Sequence, residues 1–206
     1  MPTDICLLIG AGGHGCVVLD ALLQASPEID VCVRDDAPTS LPLLGRTVVS
    51  PALPPGAFEG SVHVAIGSNE VRCRLARLMC ERGGRLLRVV HPMATVSPHA
   101  TLGDGAFIAA RAVVAPRARV GDGVIVNHGA VVDHDCEVGA WSHIAPGSVL
   151  GGGVTVGRRV LVGSGAIILP GLHIGDDAII GAGAVVTQDV AEGQLKVGIP
   201  ARNRHG

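Results

Sequence analysis

The stretch "ATLGDGAFIAARAVVAPRARVGDG", residues 100–123, repeats one pattern of six residues four times. The same register continues without insertion over residues 94–189, which makes sixteen hexads. The third position of every hexad is Val, Ile or Leu, and the first position is never charged or aromatic. Residues two apart in a strand point to the same face, so the first and third positions both point inward.

The last three positions of the hexads collect Gly, Asp, Pro and polar residues, which turn the chain. Each hexad therefore predicts one short side of a coil, and three sides close a triangular turn whose coils pair by backbone hydrogen bonds. So narrow a prism has no room for large rings, and the 206 residues include two Phe, one Trp and no Tyr. Ordinary short strands in a sandwich would not keep a strict sixfold phase over this length.

The first third of the chain has a different pattern, which predicts a small α/β domain. Residues 5–15, "ICLLIGAGGHG", read as a buried strand followed by glycines in G-x-G-x-x-G spacing, and a helix follows whose N-terminus could bind a phosphate. A second apolar run ends at Asp35 and Asp36, where an acid would meet a ribose hydroxyl. The alternative is a strand–helix turn without a ligand. We predict a Rossmann-like βαβαβ domain over residues 1–90 and a β-helix with a C-terminal cap over 91–206.

Composition excludes several classes of partner. The formal net charge is −2, with 16 basic and 18 acidic residues and no basic stripe, so neither nucleic acid nor an anionic membrane is an expected partner. The six cysteines show no CxxC spacing and read as reduced residues. The apolar run that starts at Ile5 is too short for a signal peptide or a membrane span, which favours the cytoplasm.

The combination of "GAGGHG", the Asp35-Asp36 pair, "AIGSNEVR" and the hexads resembles the bacterial nucleotide-sugar N-acetyltransferases of the hexapeptide-repeat acyltransferase superfamily. It is similar to the enzymes that acetylate UDP-4-amino sugars in the bacillosamine pathway and to perosamine and viosamine acetyltransferases. The resemblance covers about residues 5–201 and is most specific in "DHDCEVGAWSHIAPG", residues 133–147. It implies a left-handed parallel β-helix, a homotrimer, acetyl-CoA as co-substrate and a role in surface polysaccharide or glycoprotein sugar synthesis.

The resemblance also assigns roles to residues. It implies that His134 is the general base that takes the proton from the amine of a nucleotide-linked 4-amino-dideoxy sugar. The acid that orients this histidine is then Asp135, with Asp133 as the second candidate. A histidine suits this chemistry because it titrates near neutrality. The implied acetyl-CoA contacts are His143, Ser164 and Ala182. The implied sugar-nucleotide contacts are Gly12, Gly13, His14, Asp35, Asp36 and Gly67.

Other functions share this layout. Sialic-acid O-acetyltransferases resemble the chain in much of the same pattern, and a non-catalytic nucleotide-sensing or structural trimer is a third alternative. His128, His134 and His143 invite comparison with γ-class carbonic anhydrases, which bind zinc on the same kind of β-helix. Their separations of six and nine residues do not match the H-x-x-x-x-H pair of that family, so we predict no metal site.

Overall fold

A computed structural model describes residues 5–37 and 41–203, and it divides into two compact units between Pro92 and Met93. The boundary expected from the sequence lies two residues earlier. Residues 204–206, the last three of the predicted cap, lie outside the described residues.

The first unit is built on a parallel sheet of five strands, with the order β3-β2-β1-β4-β5. The central strand β1 is buried along its whole length, which explains its continuous apolar run. The elements of the first unit are β1 (Cys6–Ile9), α1 (Gly13–Ala25), β2 (Val31–Arg34), β3 (Val48–Val49), β4 (Ser61–Val64), α2 (Asn69–Glu81), β5 (Arg85–Leu86) and β6 (Val89–Val90).

Two glycines of the G-x-G-x-x-G pattern are required by close backbone packing. Gly10 has φ +111°, and a Cβ there would lie 2.7 Å from the carbonyl oxygen of Ala65. A Cβ on Gly15 would lie 2.1 Å from the carbonyl oxygen of Gly10. Any side chain at either position would collide with main-chain atoms. Gly15 therefore lets helix α1 pack against the end of strand β1, and Gly10 lets the turn lie against the residue that follows β4.

The second unit is a β-solenoid, which confirms the fold predicted from the hexads. Sixteen two-residue strands follow one another every six residues, each formed by the second and third positions of a hexad. They are β7 (Thr95–Val96), β8 (Thr101–Leu102), β9 (Phe107–Ile108), β10 (Val113–Val114), β11 (Arg119–Val120), β12 (Ile125–Val126), β13 (Val131–Val132), β14 (Glu137–Val138), β15 (His143–Ile144), β16 (Val149–Leu150), β17 (Thr155–Val156), β18 (Leu161–Val162), β19 (Ile167–Ile168), β20 (His173–Ile174), β21 (Ile179–Ile180) and β22 (Val185–Val186).

The strands form three faces, and each strand pairs in parallel with the strand 18 residues away. The first face contains β7, β10, β13, β16, β19 and β22, the second contains β8, β11, β14, β17 and β20, and the third contains β9, β12, β15, β18 and β21. We call the turns from the third to the first face corner I, those from the first to the second face corner II, and those from the second to the third face corner III. Side chains 18 residues apart therefore stack in columns.

The core of the solenoid consists of the first and third hexad positions. Ile144, Leu150 and Val162 are third-position residues with no exposed surface, and Ala130 and Ala166 are first-position residues with none. The sixth position of most hexads has a left-handed backbone, which glycine adopts without strain. Six residues other than glycine also adopt it there: Arg111, Arg117, Asp135, Trp141, Arg159 and Asp177.

The sixfold phase ends after residue 189, as the sequence predicts. Strand β23 (Leu195–Val197) extends the third face in parallel with β21, and β24 (Arg202–Asn203) pairs with β23 in the antiparallel sense. Over residues 5–37 and 41–203, neither helix has the length and apolar character needed to cross a membrane.

Candidate active site

The predicted catalytic residues lie in a corner II turn that connects β13 to β14. Neighbouring coils fix the backbone of this turn. The amide of Asp135 donates to the carbonyl oxygen of Pro116 at 3.2 Å in the coil below, and the carbonyl oxygen of His134 accepts from the amide of Gly153 at 2.8 Å in the coil above. The amide of His134 also donates to Oδ1 of Asp133 at 2.7 Å. The His134 imidazole therefore projects from a rigid turn, and its side chain is 58% exposed.

The side chains of His134 and Asp135 are paired. His134 Nδ1 lies 2.7 Å from Oδ2 of Asp135. An ionised carboxylate only accepts hydrogen bonds, so Nδ1 carries a proton, and in the neutral imidazole Nε2 keeps its lone pair. Hydrogen bonds from Arg117, and then from His134, hold the pKa of Asp135 far below its usual range, so this carboxylate is ionised at neutral pH. The arrangement gives an exposed imidazole nitrogen that can accept a proton.

The imidazole of His134 lies over Gly152, one coil above. A Cβ on Gly152 would be 2.5 Å from both Cε1 and Nε2 of the ring. Only glycine leaves this space open, because any side chain would displace the imidazole or be displaced by it. Gly152 was not among the predicted site residues, although the 18-residue spacing between coils places it above His134.

We expect Gly152→Ala to reduce kcat about 10-fold to 100-fold, since a base moved by about 1 Å loses much of its effect. The unfolding free energy should change by less than about 1 kcal/mol, because Gly152 does not have a positive φ and the clash is with a side chain that can rotate. Steady-state kinetics and urea unfolding measure the two quantities. In a His134→Ala background the same substitution should have no further effect on kcat, and a further loss there would contradict the contact.

The three predicted acetyl-CoA contacts lie at corner I or beside it. Ser164 and Ala182 are exposed, occupy the same position of their hexads and are 18 residues apart, so they stack in one column. His143 lies on β15 of the third face and is half-buried. The structure thus places these residues along one edge of the solenoid.

His143 has a partner that the sequence analysis did not predict. Nδ2 of Asn127 lies 3.1 Å from Nε2 of His143, and Oδ1 of Asn127 accepts from the backbone amide of His128 at 2.8 Å. Because that amide can only donate, the asparagine oxygen is fixed as the acceptor and its NH₂ group donates to His143. His143 then carries its ring proton on Nδ1. Asn127 is 9% exposed, so this pair is held firmly at corner I.

The two groups of residues lie at opposite edges of one face. His134 and Asp135 follow β13 at corner II, whereas Asn127 precedes β13 at corner I and His143 stacks above β12. One chain therefore does not bring His134 into the column formed by Ser164 and Ala182.

Three of the six predicted sugar-nucleotide contacts, Gly12, Asp35 and Asp36, line clefts in the first unit, and Gly13, His14 and Gly67 do not. A cleft of about 470 Å³ is lined by Gly10, Asp35 and Asp36 among others, and a neighbouring cleft of about 280 Å³ is lined by Gly12 and again by Asp35. A Cβ on Gly12, Gly13 or Gly67 would meet no atom within 4 Å, so all three glycines border open space. His14 lies in the first turn of α1.

The two aspartates also bind the backbone. Asp35 accepts from the amide of Ala11 at 2.7 Å and from the amide of Ala37 at 2.9 Å, and Asp36 accepts from the amide of Ala52 at 2.9 Å. Asp35 therefore fixes the glycine-rich turn itself, a role that the sequence analysis did not assign. Its oxygens retain acceptor capacity, because a carboxylate offers about four lone-pair sites.

Arg72 supports the loop that contains Gly67. This arginine is 2% exposed, and its guanidinium donates to the carbonyl oxygens of Ile66 at 3.0 Å and Gly67 at 3.2 Å and to Oδ1 of Asn69 at 2.8 Å. Burial lowers the pKa of Arg72 to about 10. A charge this deeply buried in "NEVRCRL" could not be expected from its helical pattern, which predicts a solvated arginine.

Within the described ranges, no group of three or more His, Cys, Asp or Glu side chains is arranged to hold a metal ion. His128 is exposed at corner I and His134 is at corner II, so these two histidines of the zinc alternative lie at different corners.

Comparison with known proteins identifies both parts of the chain. Residues 6–79 match the family model of the PglD N-terminal domain, and residues 87–173 match that of the GMPPB C-terminal domain. No curated protein sequence matches the chain significantly.

Several solved structures are similar over almost the whole chain. The acetyltransferase domain of PglB from Neisseria gonorrhoeae is 35% identical with a TM-score of 0.90, and the match covers 98% of this chain and 100% of that one. Its complex with acetyl coenzyme A is 34% identical, with a TM-score of 0.90 and coverage of 98% and 99%. A histidine-to-alanine variant of GDP-perosamine N-acetyltransferase from Caulobacter crescentus, in complex with CoA and GDP-perosamine, is 36% identical, with a TM-score of 0.90 and coverage of 100% and 99%.

These proteins are 34–36% identical to the chain over nearly their full length, and they match both the solenoid and the α/β unit. The similarity is therefore greater than a shared fold alone would give. The chain belongs to the nucleotide-sugar N-acetyltransferases of the hexapeptide-repeat acyltransferase superfamily.

Proposed function

We propose that the protein transfers an acetyl group from acetyl-CoA to the amino group of a nucleotide-linked 4-amino-dideoxy sugar. The observation that carries this proposal is the hydrogen bond from His134 Nδ1 to Asp135, which leaves Nε2 of a mostly exposed side chain available as a base. The structural relatives that bind CoA, acetyl-CoA or GDP-perosamine support the choice of substrates. The product would serve the synthesis of a bacterial surface glycan or glycoprotein sugar.

Direct transfer fits the site. His134 Nε2 takes a proton from the sugar ammonium or from the attacking amine, the amine nitrogen bonds to the thioester carbonyl carbon, and the C–S bond then breaks to release CoA. Asp135 stabilises the imidazolium that forms, because the charges are opposite and adjacent. Donors that meet the charge growing on the carbonyl oxygen stabilise such a transition state by a few kcal/mol. In the proposal, His143 contacts the acetyl end of the cofactor, and Ser164 and Ala182 contact the cofactor through backbone atoms.

The proposed general base lies at corner II and the proposed cofactor contacts lie at corner I or beside it, at opposite edges of the first face. This separation supports a homotrimer in which neighbouring copies complete the site. A neighbouring copy that presents its corner I to corner II of this chain would bring an Asn127–His143 pair towards His134. The Rossmann-like character of residues 1–90, the left-handed sense of the β-helix and a cytoplasmic location belong to the same proposal. So do the nucleotide contacts of Gly12, Gly13, His14, Asp35, Asp36 and Gly67, where the N-terminus of α1 would receive the diphosphate.

The proposal is tested by incubating the protein with acetyl-CoA and a panel of UDP-, GDP- and dTDP-linked sugars while thiol release is followed. The panel should pair each 4-amino sugar with its 4-hydroxy counterpart. Turnover of amino sugars alone supports the proposal. Turnover of the hydroxy sugars alone would establish the O-acetyltransferase alternative, and binding without any turnover would establish a sensor.

Cys136 tests the absence of a covalent acyl-enzyme. Its thiol is buried, its Sγ donates to the carbonyl oxygen of Gly151 at 3.2 Å, and burial raises its pKa, so it is a poor nucleophile. We expect Cys136→Ala to keep kcat within about twofold and to lose about 1 kcal/mol of unfolding free energy. A folded variant without turnover would overturn direct transfer.

A further inference from the structure

The Asp135 carboxylate is held by an arginine from the coil below. Arg117 Nε donates to Oδ1 of Asp135 at 2.5 Å, and Arg117 Nη2 donates to Oδ2 at 2.7 Å. Both residues occupy the left-handed sixth position of their hexads at corner II, so their side chains stack in one column. The fork engages both oxygens at once and fixes the plane of the carboxylate, which a single donor does not do.

The contacts place Asp135 Oδ2 between two donors. The same oxygen accepts from Arg117 Nη2 and from His134 Nδ1, each at 2.7 Å. The three side chains form a chain of hydrogen bonds in which the arginine reaches the histidine only through the aspartate. Exposed ion pairs contribute little to stability. We therefore expect the Arg117–Asp135 pair to act mainly on the geometry and the charge around His134.

The solenoid contains a second pair of the same construction. Arg159 Nε and Nη2 donate to Oδ1 and Oδ2 of Asp177 at 2.6 and 2.5 Å, also across 18 residues and between left-handed sixth positions. This pair lies at corner III. The same fork therefore occurs at a corner that does not contain His134, and it supplies a matched control.

We propose that Arg117 is a positioning residue for the general base: it orients Asp135 towards His134 Nδ1 and offsets part of the aspartate charge, so that His134 loses its proton more readily. This inference rests on the proposed function of His134. A bare carboxylate would favour the imidazolium, which cannot act as a base, whereas a nearby guanidinium disfavours it. The arginine thus lets Asp135 orient the imidazole while it reduces the tendency of that carboxylate to keep the imidazole protonated.

Among the described residues of corner II, the charged side chains next to His134 are few. Its own turn contributes Asp133 and Asp135, the coil below contributes Arg117, and the coil above contributes residues 151–153, which are all glycines. His99 is the next member of the column below Arg117. Substitution of Arg117 by alanine therefore removes the positive charge that is linked to His134 through Asp135.

The test compares the pH dependence of kcat/KM for wild type, Arg117→Ala, Arg117→Lys and Arg159→Ala, with acetyl-CoA and the best amino sugar of the panel. In Arg117→Ala, the acidic limb of the kcat/KM profile should move to higher pH by about half a unit. This is the shift expected in water when a positive charge one residue beyond the hydrogen-bonded Asp135 is removed from the neighbourhood of His134. Its kcat at pH 7 should fall about tenfold, because the carboxylate is no longer held in place. Arg117→Lys should keep the limb near its wild-type position but retain part of the loss in kcat, because an ammonium carries the charge without the fork.

Arg159→Ala should leave both quantities unchanged. The proposal is overturned if the limb of Arg117→Ala does not move or moves to lower pH, or if Arg159→Ala reproduces the shift. An NMR titration of the His134 imidazole in the free proteins separates this inference from the proposed function. The same upward shift in Arg117→Ala supports the coupling even if no sugar is acetylated, and an unchanged titration refutes it even in an active enzyme.

Discussion

Substitution of His134 by Asn should lower kcat about 10³-fold, the middle of the range for loss of a general base. Asparagine keeps a polar side chain of similar reach at the exposed turn but cannot accept the proton of the amine. The turn itself should survive, because its backbone is fixed by hydrogen bonds to Pro116 and Gly153 that do not involve the imidazole. Thiol release under saturating substrates measures the loss.

Binding should be unaffected by the same substitution. The predicted nucleotide contacts lie in the first unit, so calorimetry should give a Kd for the sugar nucleotide within about twofold of wild type. His173→Asn is the control, since His173 is an exposed histidine on strand β20 of the second face. Wild-type turnover in the His134 variant would refute the general-base assignment, and an equal loss in the His173 variant would point to a general effect of such substitutions.

The solenoid could be predicted from sequence because each strand is defined within six residues. The second and third positions of every hexad from 94 to 189 form the strands in the structure, and the buried first and third positions are those that the pattern assigns. The α/β unit was less predictable in detail. Its strands β3 and β5 have only two residues each and belong to no repeat, so no periodicity indicates them.

The candidate site divides in the same way. His134 and Asp135 are adjacent in sequence, so their pairing could be expected from the D-H-D motif. Arg117 and Gly152 are each 18 residues from the group they contact, a spacing that three-sided coils imply. The spacing alone does not say which stacked side chains touch, because that depends on rotamers. The Asn127–His143 pair spans 16 residues, because a residue in a turn reaches one that points outward from a strand.

Glycine occurs at the hexad positions that the pattern predicts, but the physical reason differs from one position to another. The sequence analysis attributes glycine in the last three hexad positions to turning the chain. At the sixth position this holds, since Gly147 has φ +67° and a Cβ there would meet nothing within 4 Å. At the fourth position the cause differs. Gly139 does not have a positive φ, but a Cβ there would lie 2.5 Å from the carbonyl carbon and oxygen of Gly157 in the next coil.

Gly139→Ala should therefore destabilise the solenoid by about 3 kcal/mol or more, because the new methyl group meets backbone atoms that cannot move without breaking the ladder between coils. Gly147→Ala is the matched control, and it should cost only about 1 to 2 kcal/mol for placing alanine in the left-handed region. Urea unfolding at one fixed protein concentration, followed by circular dichroism, compares the two variants.

The order of the two losses is the decisive result, because each coil of a solenoid is stabilised mainly by its neighbours. A gap opened between two coils weakens both of them, whereas a strained φ at a corner stays local. If Gly147→Ala were the more damaging substitution, backbone conformation and not close stacking would explain the glycines of this repeat.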